Sequence, residues 1–370
     1  MRKIIAIYNN FFTPDGNKES IGGIQTYLRN LLPYFVEIGY EVELHQIAAL
    51  DFVKEYRGVK VIGHIISNSK PKYQDRELYA LATSGADHSN DILLFATSTN
   101  IVKNDFSHSL AIQHGITWDV PKHLNYSHKK NLIHIFLKAI LAHRTIADMD
   151  KVKEYVCVDN NYVNWYRTQV AYSDVKTYTI PNFAEVPEAL PVREHEGVRI
   201  IFARRLQQYR GTRLFAEVIE GIIEKYPEVS VTIAGTGPDE RYMKDRLSKL
   251  PQIDFITYNS EESIEIHRDK DIAVVPTLGS EGTSLSLLEA MASGCAPIAT
   301  NVGGMSNILL DGYNGLLINP ESSELFDALE RLICDKELRV SIADNAYKTV
   351  KQSFDISRWK EKWRKVINNV

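Results

Sequence analysis

Cysteine, long apolar runs and net charge are all scarce in this chain, and each shortage narrows its function. The three cysteines, Cys157, Cys295 and Cys334, are odd in number, far apart and without a C-x-x-C pair. That spacing argues against a metal knuckle and for a reducing compartment, with the thiols as small core residues. No run approaches the ~20 uninterrupted apolar residues of a membrane span. The opening MRKIIAIYNN turns polar too soon for a signal segment, so a cytoplasmic protein is expected. A net charge of -4 offers no basic field for nucleic acid, and an anionic ligand has to be met by a local cluster. No H-x-x-H or carboxylate cluster is present, and the one D-x-D considered, Asp148-Met149-Asp150, follows a helix-like segment and reads as its C-terminal turn. No metal or cofactor is expected.

What is present is a length of 370 residues, 44% of them hydrophobic, which suits two cores of roughly 150–200 residues each. Apolar, β-branched runs at 4–8, 41–47, 59–65, 92–96, 110–113 and 155–158 alternate with helical patterns, the mark of βα units on a mainly parallel sheet. Ile24, Tyr27, Leu28, Leu31, Leu32 and Phe35 follow helical spacing, with Gly39 as the stop. A second series runs through 199–203, 229–234, 253–257, 272–276, 296–300 and 316–318. Between the two lies IPNFAEVPEALPVREHEG, with three prolines and no period, an interdomain linker. The expected domains are 1–180 and 181–353, with the default ligand site beyond the carboxyl ends of the strands, in a cleft between the halves.

Four segments carry candidate chemistry. In EGTSLSLLEAMASGCAP, Glu281 follows an apolar strand and Glu289 lies inside the next helix. Ser286 to Glu289 has a capping-box pattern. If the helix begins at Thr283 or Ser284 instead, Glu289 is free to accept from ligand hydroxyls, and amides near Thr283, Ser284 and Leu285 stand at a positive helix end. FARRLQQYRG sets Arg204, Arg205 and Arg210 at a strand-to-helix turn, where guanidinium forks match diphosphate oxygens. Gly235 and Gly237 mark another strand end, close to a ligand or simply at a turn. In the first half, Gly22 and Gly23 precede a helix, and His114 follows an apolar strand, where it is either structural or able to orient a sugar hydroxyl.

Together and in this order, GGIQTY, QHG, ARRLQQYRG and EGTSLSLLEAMASGCAPIAT resemble glycosyltransferase family 4, retaining nucleotide-sugar transferases of GT-B fold with an E-x7-E motif. The resemblance implies two Rossmann-like domains facing across a cleft, an acceptor-binding 1–180 and a nucleotide-sugar-binding 181–353. It also implies that 354–370 crosses back onto the first domain through Trp359 and Trp363. It places Glu281 and His114 at the donor sugar, Glu289 at the ribose, Gly23 at the phosphate side, and Arg205 and Arg210 on the departing diphosphate. The family's usual lysine is Arg210 here, and a position often glutamate after VGG is Asn307. The acceptor implied is a glycan or a polyprenyl-linked sugar, as in bacterial surface polysaccharide synthesis. The alternatives are a nucleotide-sugar 2-epimerase, whose acid and base carboxylates cannot be placed, and a non-catalytic two-lobed sugar-binding protein.

HKKNLIHIFLKAILAHR, 128–144, joins Lys129, Lys130, Lys138 and Arg144, with Lys122 upstream, to Leu132, Ile133, Phe136, Leu137, Ile140 and Leu141. It reads either as a helix buried in the first domain or as a peripheral contact with the inner face of the cell membrane.

Overall fold

A computed structural model describes residues 2–116, 128–170, 172–190, 192–279 and 281–370; Lys122 lies outside them. Its contacts divide into two α/β units, the first made of Met1–His114, Leu132–Ile180 and Lys360–Val370, the second built on Pro181–Trp359.

The first unit carries strands β1 (Lys3–Ile7), β2 (Glu41–Ala48), β3 (Phe52–Tyr56), β4 (Val59–Ile65), β5 (Ile92–Phe95), β6 (His108–Gln113), β7 (Glu154–Cys157) and β8 (Lys176–Thr179), and helices α1 (Gly23–Glu37), α2 (Pro71–Ala82), α3 (His128–Met149) and α4 (Asn160–Gln169). The sheet order is β3-β4-β2-β1-β5-β6-β7-β8. It is parallel except for β3 on β4. β5 and β7 are buried at every residue, as strands covered on both faces must be. Two strands escape the sequence pattern. β3 is short, alternates half-buried and exposed residues, and reaches β4 through Arg57-Gly58, both at positive φ, the geometry of a tight hairpin turn. β8 is a short edge strand with no fully buried residue.

The second unit holds β9 (Arg199–Ala203), β10 (Ser230–Ala234), β11 (Ile253–Ile256), β12 (Ile272–Val275), β13 (Ala296–Thr300) and β14 (Leu316–Ile318), in the order β11-β10-β9-β12-β13-β14. All described pairings are parallel. Its helices are α5 (Thr212–Lys225), α6 (Glu240–Leu247), α7 (Ser263–His267), α8 (Leu285–Ala292), α9 (Ser322–Cys334) and α10 (Lys336–Ser353), and α11 (Ile356–Asn369) follows them. The proline-rich segment after 180 is fastened rather than loose. Arg193 donates from Nη1 and Nη2 to the carbonyls of Gly294 and Ser293, at 2.7 and 2.8 Å, where α8 ends.

Helix α11 begins in the second unit and ends in the first, and its two tryptophans separate accordingly. Trp359 packs on Phe183, ring centroids 4.3 Å apart, within the second unit. Trp363 is fully buried in the first, where its indole N–H donates to the Tyr27 hydroxyl at 2.8 Å beside Phe35. The loop after β1 is likewise committed to packing. Phe11 and Phe12 are buried, and their amides both donate to the Gln46 side-chain oxygen. Helix α3 is not a buried helix: Ile133, Ile135, Phe136, Leu137, Ile140 and Leu141 are all exposed. Among the described residues no helix is long and apolar enough to cross a membrane.

Trp363→Ala removes the largest buried side chain of the first unit, and a loss of about 3–5 kcal/mol is expected. Trp363→Phe keeps most ring packing and should cost clearly less. Urea unfolding followed by circular dichroism measures both, and equal losses would show that the indole packing is not what matters.

Candidate active site

In an open α/β sheet, ligands gather outside the carboxyl ends of the strands where the strand order reverses. In the second unit that point lies between β9 and β12. Arg204 leaves β9 and Thr277 leaves β12, and the chain after Thr277 returns Glu281 to them. Three donors converge on Glu281 Oε2: Arg204 Nη2 at 2.9 Å, the Thr277 hydroxyl at 2.9 Å, and Arg210 Nη1. Thr277 in turn accepts from Arg204 Nη1 at 2.7 Å. Arg210 also stacks on Tyr209, 4.8 Å from the ring centre.

Arg204 is buried, Glu281 and Arg210 are half-buried, and the cluster is not neutral. Two guanidiniums face one carboxylate, and the surplus positive charge suits an anion. Burial would raise the Glu281 carboxyl, but Arg210 and Arg204 outweigh it and hold the acid below its ordinary range. Burial draws Arg204 down to about 10, opposed by Glu281 and reinforced by Arg210. It remains charged at neutral pH, and its Nε is buried with no acceptor among the described residues.

The backbone explains the glycines. At Gly211, φ is +85° and a Cβ would stand 1.9 Å from the Pro276 carbonyl, so only glycine lets Arg210 lie beside β12. Gly235 and Gly237 abut the carbonyls of Arg204 and Leu206, at 2.2 and 2.3 Å from an added Cβ. The close approach inferred from their sequence is thus to the arginine loop itself. Gly303 does the same for Glu281: a Cβ there would meet its carbonyl at 2.1 Å, and the Gly304 amide donates to that carbonyl at 3.0 Å. The VGG motif therefore braces the glutamate.

Helix α8 settles the two local readings of Glu289. Its N-cap is Ser284, whose hydroxyl accepts from the Leu287 amide, so Ser286 and Glu289 do not form a capping box. Glu289 is the fifth helical residue, half-buried, and accepts from the Ser263 hydroxyl of α7 at 2.6 Å. Burial lifts its acid to about 7, with Ser263 partly offsetting. Tyr258 stands near both Glu289 and Arg204; burial and then the Glu289 charge raise its hydroxyl, against Arg204. At the helix start, Thr283 is gripped by Asn182, whose amide donates to the Thr283 hydroxyl at 2.7 Å. Leu285 and Ser286, in the first turn, have no intrahelical acceptor for their amides, as at any helix N-terminus.

Of the sequence candidates, Glu281 and Arg210 meet directly, with Thr283, Ser284, Leu285 and Glu289 following on the same segment. Arg205 is exposed, and the buried partner is its neighbour Arg204. Adjacent residues leaving a strand point to opposite faces, and identical side chains hide which one turns inward. Thr277, Ser263 and Tyr258 were missed; the carboxyl ends of β11 and β12 were the signal available for Tyr258 and Thr277. In the first unit, His114 follows β6, and its Nε2 donates to the Ala96 carbonyl at 3.0 Å, which leaves Nδ1 as an acceptor. Burial pushes this imidazole down to about 4, so it is neutral. Gly23 opens α1, whose first turn holds no acidic residue.

Residues 189–349 match the family model described as Glycosyl transferases group 1. The chain is similar to a D-inositol 3-phosphate glycosyltransferase of Paenarthrobacter aurescens, 30% identical over 45% of this chain but only 42% of that protein. It is 23% identical to a protein of the same name from Corynebacterium urealyticum, over 88% of this chain and 85% of the relative. Sucrose-phosphate synthase from Thermosynechococcus elongatus superposes with a TM-score of 0.79 at 16% identity, over 100% of this chain and 99% of the other. Anabaena Alr3699/HepE in complex with UDP-glucose gives 0.74 at 16% identity over 100% of both chains. The fold is that of the GT-B glycosyltransferases, and the glycosyltransferase group 1 model matches its second unit.

A Glu289 acid lifted from 4.5 to about 7 makes stability depend on pH. Between those values the folded chain holds a proton that the unfolded chain lacks, so this contribution is full below 4.5 and is lost as pH rises through 7. Glu289→Gln cannot ionise. Its melting temperature should gain on the parent's between pH 5 and pH 8, and a constant difference by differential scanning fluorimetry would contradict the burial argument.

Proposed function

We propose that the chain is a retaining glycosyltransferase that moves a sugar from a nucleotide-diphosphate donor to a glycan or lipid-linked acceptor in bacterial surface polysaccharide synthesis, as of O-antigen, capsule or exopolysaccharide. The observation that carries this reading is the surplus of positive charge held by Arg204 and Arg210 around Glu281, set at a strand-order reversal beside the start of α8. Diphosphate is the anion that such a pair of guanidinium forks suits. Glu289 supplies hydrogen-bond acceptance for the ribose, amides at Thr283, Ser284 and Leu285 face phosphate or sugar, and His114 offers a neutral acceptor nitrogen to a sugar hydroxyl. Arg205, Gly235 and Gly237 belong to the same proposed donor site. The HepE complex with UDP-glucose supports a nucleotide sugar as the donor.

In the proposed reaction the bond from the anomeric carbon to the diphosphate oxygen breaks, and the acceptor oxygen bonds to the same face of that carbon. The acceptor proton passes to the departing diphosphate, whose growing charge Arg204 and Arg210 stabilise. No metal is invoked, because the counter-charge comes from these side chains. The exposed Ile133, Phe136 and Ile140 of α3, together with Lys138 and Arg144 of the same helix, favour peripheral contact with an anionic bilayer and hence a polyprenyl-linked acceptor.

The test is release of UDP, GDP or dTDP from a panel of nucleotide sugars, with and without lipid extract in anionic vesicles, and proton NMR of the product. The reading predicts turnover that rises with the lipid acceptor and a product with the donor's anomeric configuration. Binding without turnover, or an inverted product, would sink it.

A further inference from the structure

The first unit has its own strand-order reversal, between β1 and β5, and its chemistry is the opposite of that in the second. Asn9 leaves β1, Thr97 and Asn100 follow β5, and Asp75 joins them from α2. Asp75 Oδ1 accepts from Asn100 Nδ2 at 2.8 Å and from Asn9 Nδ2 at 3.3 Å. The Thr97 hydroxyl donates to Asn100 Oδ1 at 2.7 Å and lies 2.9 Å from that of Thr99. The preceding residue, Ala96, holds the neutral His114 through its carbonyl. A polar network thus runs from the end of β1 to the residue after β6.

Its composition is informative. Asp75 has no ion-pair partner among the described residues, and no lysine or arginine enters the network. Asn9 Oδ1 is buried and lacks a donor among the described residues, a state that is costly unless a ligand or water supplies one. The network is rich in acceptors, namely the Asp75 carboxylate, Asn9 Oδ1 and His114 Nδ1. Such an edge matches the hydroxyl donors of a sugar or polyol. A phosphate, sulfate or carboxylate would meet an uncompensated carboxylate.

We infer that Asn9, Asp75, Thr97, Thr99 and Asn100 form the acceptor subsite, and that it takes an uncharged, hydroxyl-rich group and rejects one bearing an anion at this position. Asp75 is the specificity determinant. This rests on the transferase reading and adds the chemical class of the acceptor's recognised end.

The experiment uses the full chain with whichever donor it turns over. Nucleoside diphosphate release is measured with methyl glycosides and myo-inositol, and separately with glucose 6-phosphate and myo-inositol 3-phosphate. At least one uncharged probe should stimulate release and the phosphorylated ones should not. Asp75→Asn should raise KM for the uncharged probe by tenfold or more, and Thr99→Ala, at an exposed residue, by a smaller factor. Thermal melting and nucleoside diphosphate affinity of both variants report folding. Asp75→Lys should narrow or reverse the preference against the phosphorylated probes. The inference is overturned if phosphorylated probes stimulate as well as uncharged ones, if neither class stimulates, or if folded Asp75→Asn keeps the parent's KM. A parent that turns over no donor at all would instead be a failure of the transferase reading.

Discussion

A carboxylate held between two arginines sets the terms for the rest of the second unit. Removing charges from water is costly, and an ion pair repays that cost only when its geometry is good and its remaining hydrogen bonds are made. Glu281 meets the condition through Arg204, Arg210 and Thr277. Much of the surrounding backbone is shaped by the need to bring these groups together. Gly211 lets Arg210 lie against β12, Gly235 and Gly237 let the next strand end press on the Arg204 loop, and Gly303 and Gly304 brace Glu281 from below. The net charge of the cluster is what remains available to a ligand.

The two units share an architecture and differ in the chemistry of their reversal points. One gathers cations, the other a carboxylate, amides and hydroxyls. Because the fold is held by apolar strands such as β5, β12 and β13 that do not reach these points, the residues just beyond the strand ends are free to specialise. Fold and function therefore separate along the chain, with packing inside the strands and recognition mostly in the segments just past them.

Much of this was legible in the sequence, for physical reasons. Parallel strands buried on both faces read as continuous apolar runs, so most of both sheets was visible. β3 was not, because an edge strand with one covered face mixes charge and aromatics, and its turn, Arg57-Gly58, lacks the asparagine or aspartate that usually marks such hairpins. Glu281 and Arg210 were recoverable from motif spacing, whereas the choice of Arg204 over Arg205 depends on the pleat at a strand's last residue. Glu289 could not be separated from a capping box, since its partner Ser263 lies on another helix. Asp75 gave no signal at all: one acid on an amphipathic helix becomes notable only when Asn9 and Asn100 converge on it.

The central claim is that Arg204 and Arg210 form a cradle for diphosphate, with Glu281 holding both in place. Isothermal titration of nucleoside, nucleoside monophosphate and nucleoside diphosphate against the parent and Arg210→Gln tests it most directly. The account predicts that affinity rises with each phosphate in the parent. In Arg210→Gln the gain on adding the second phosphate should fall by tenfold or more, while nucleoside affinity stays within about twofold. An undiminished diphosphate gain in the variant would contradict it.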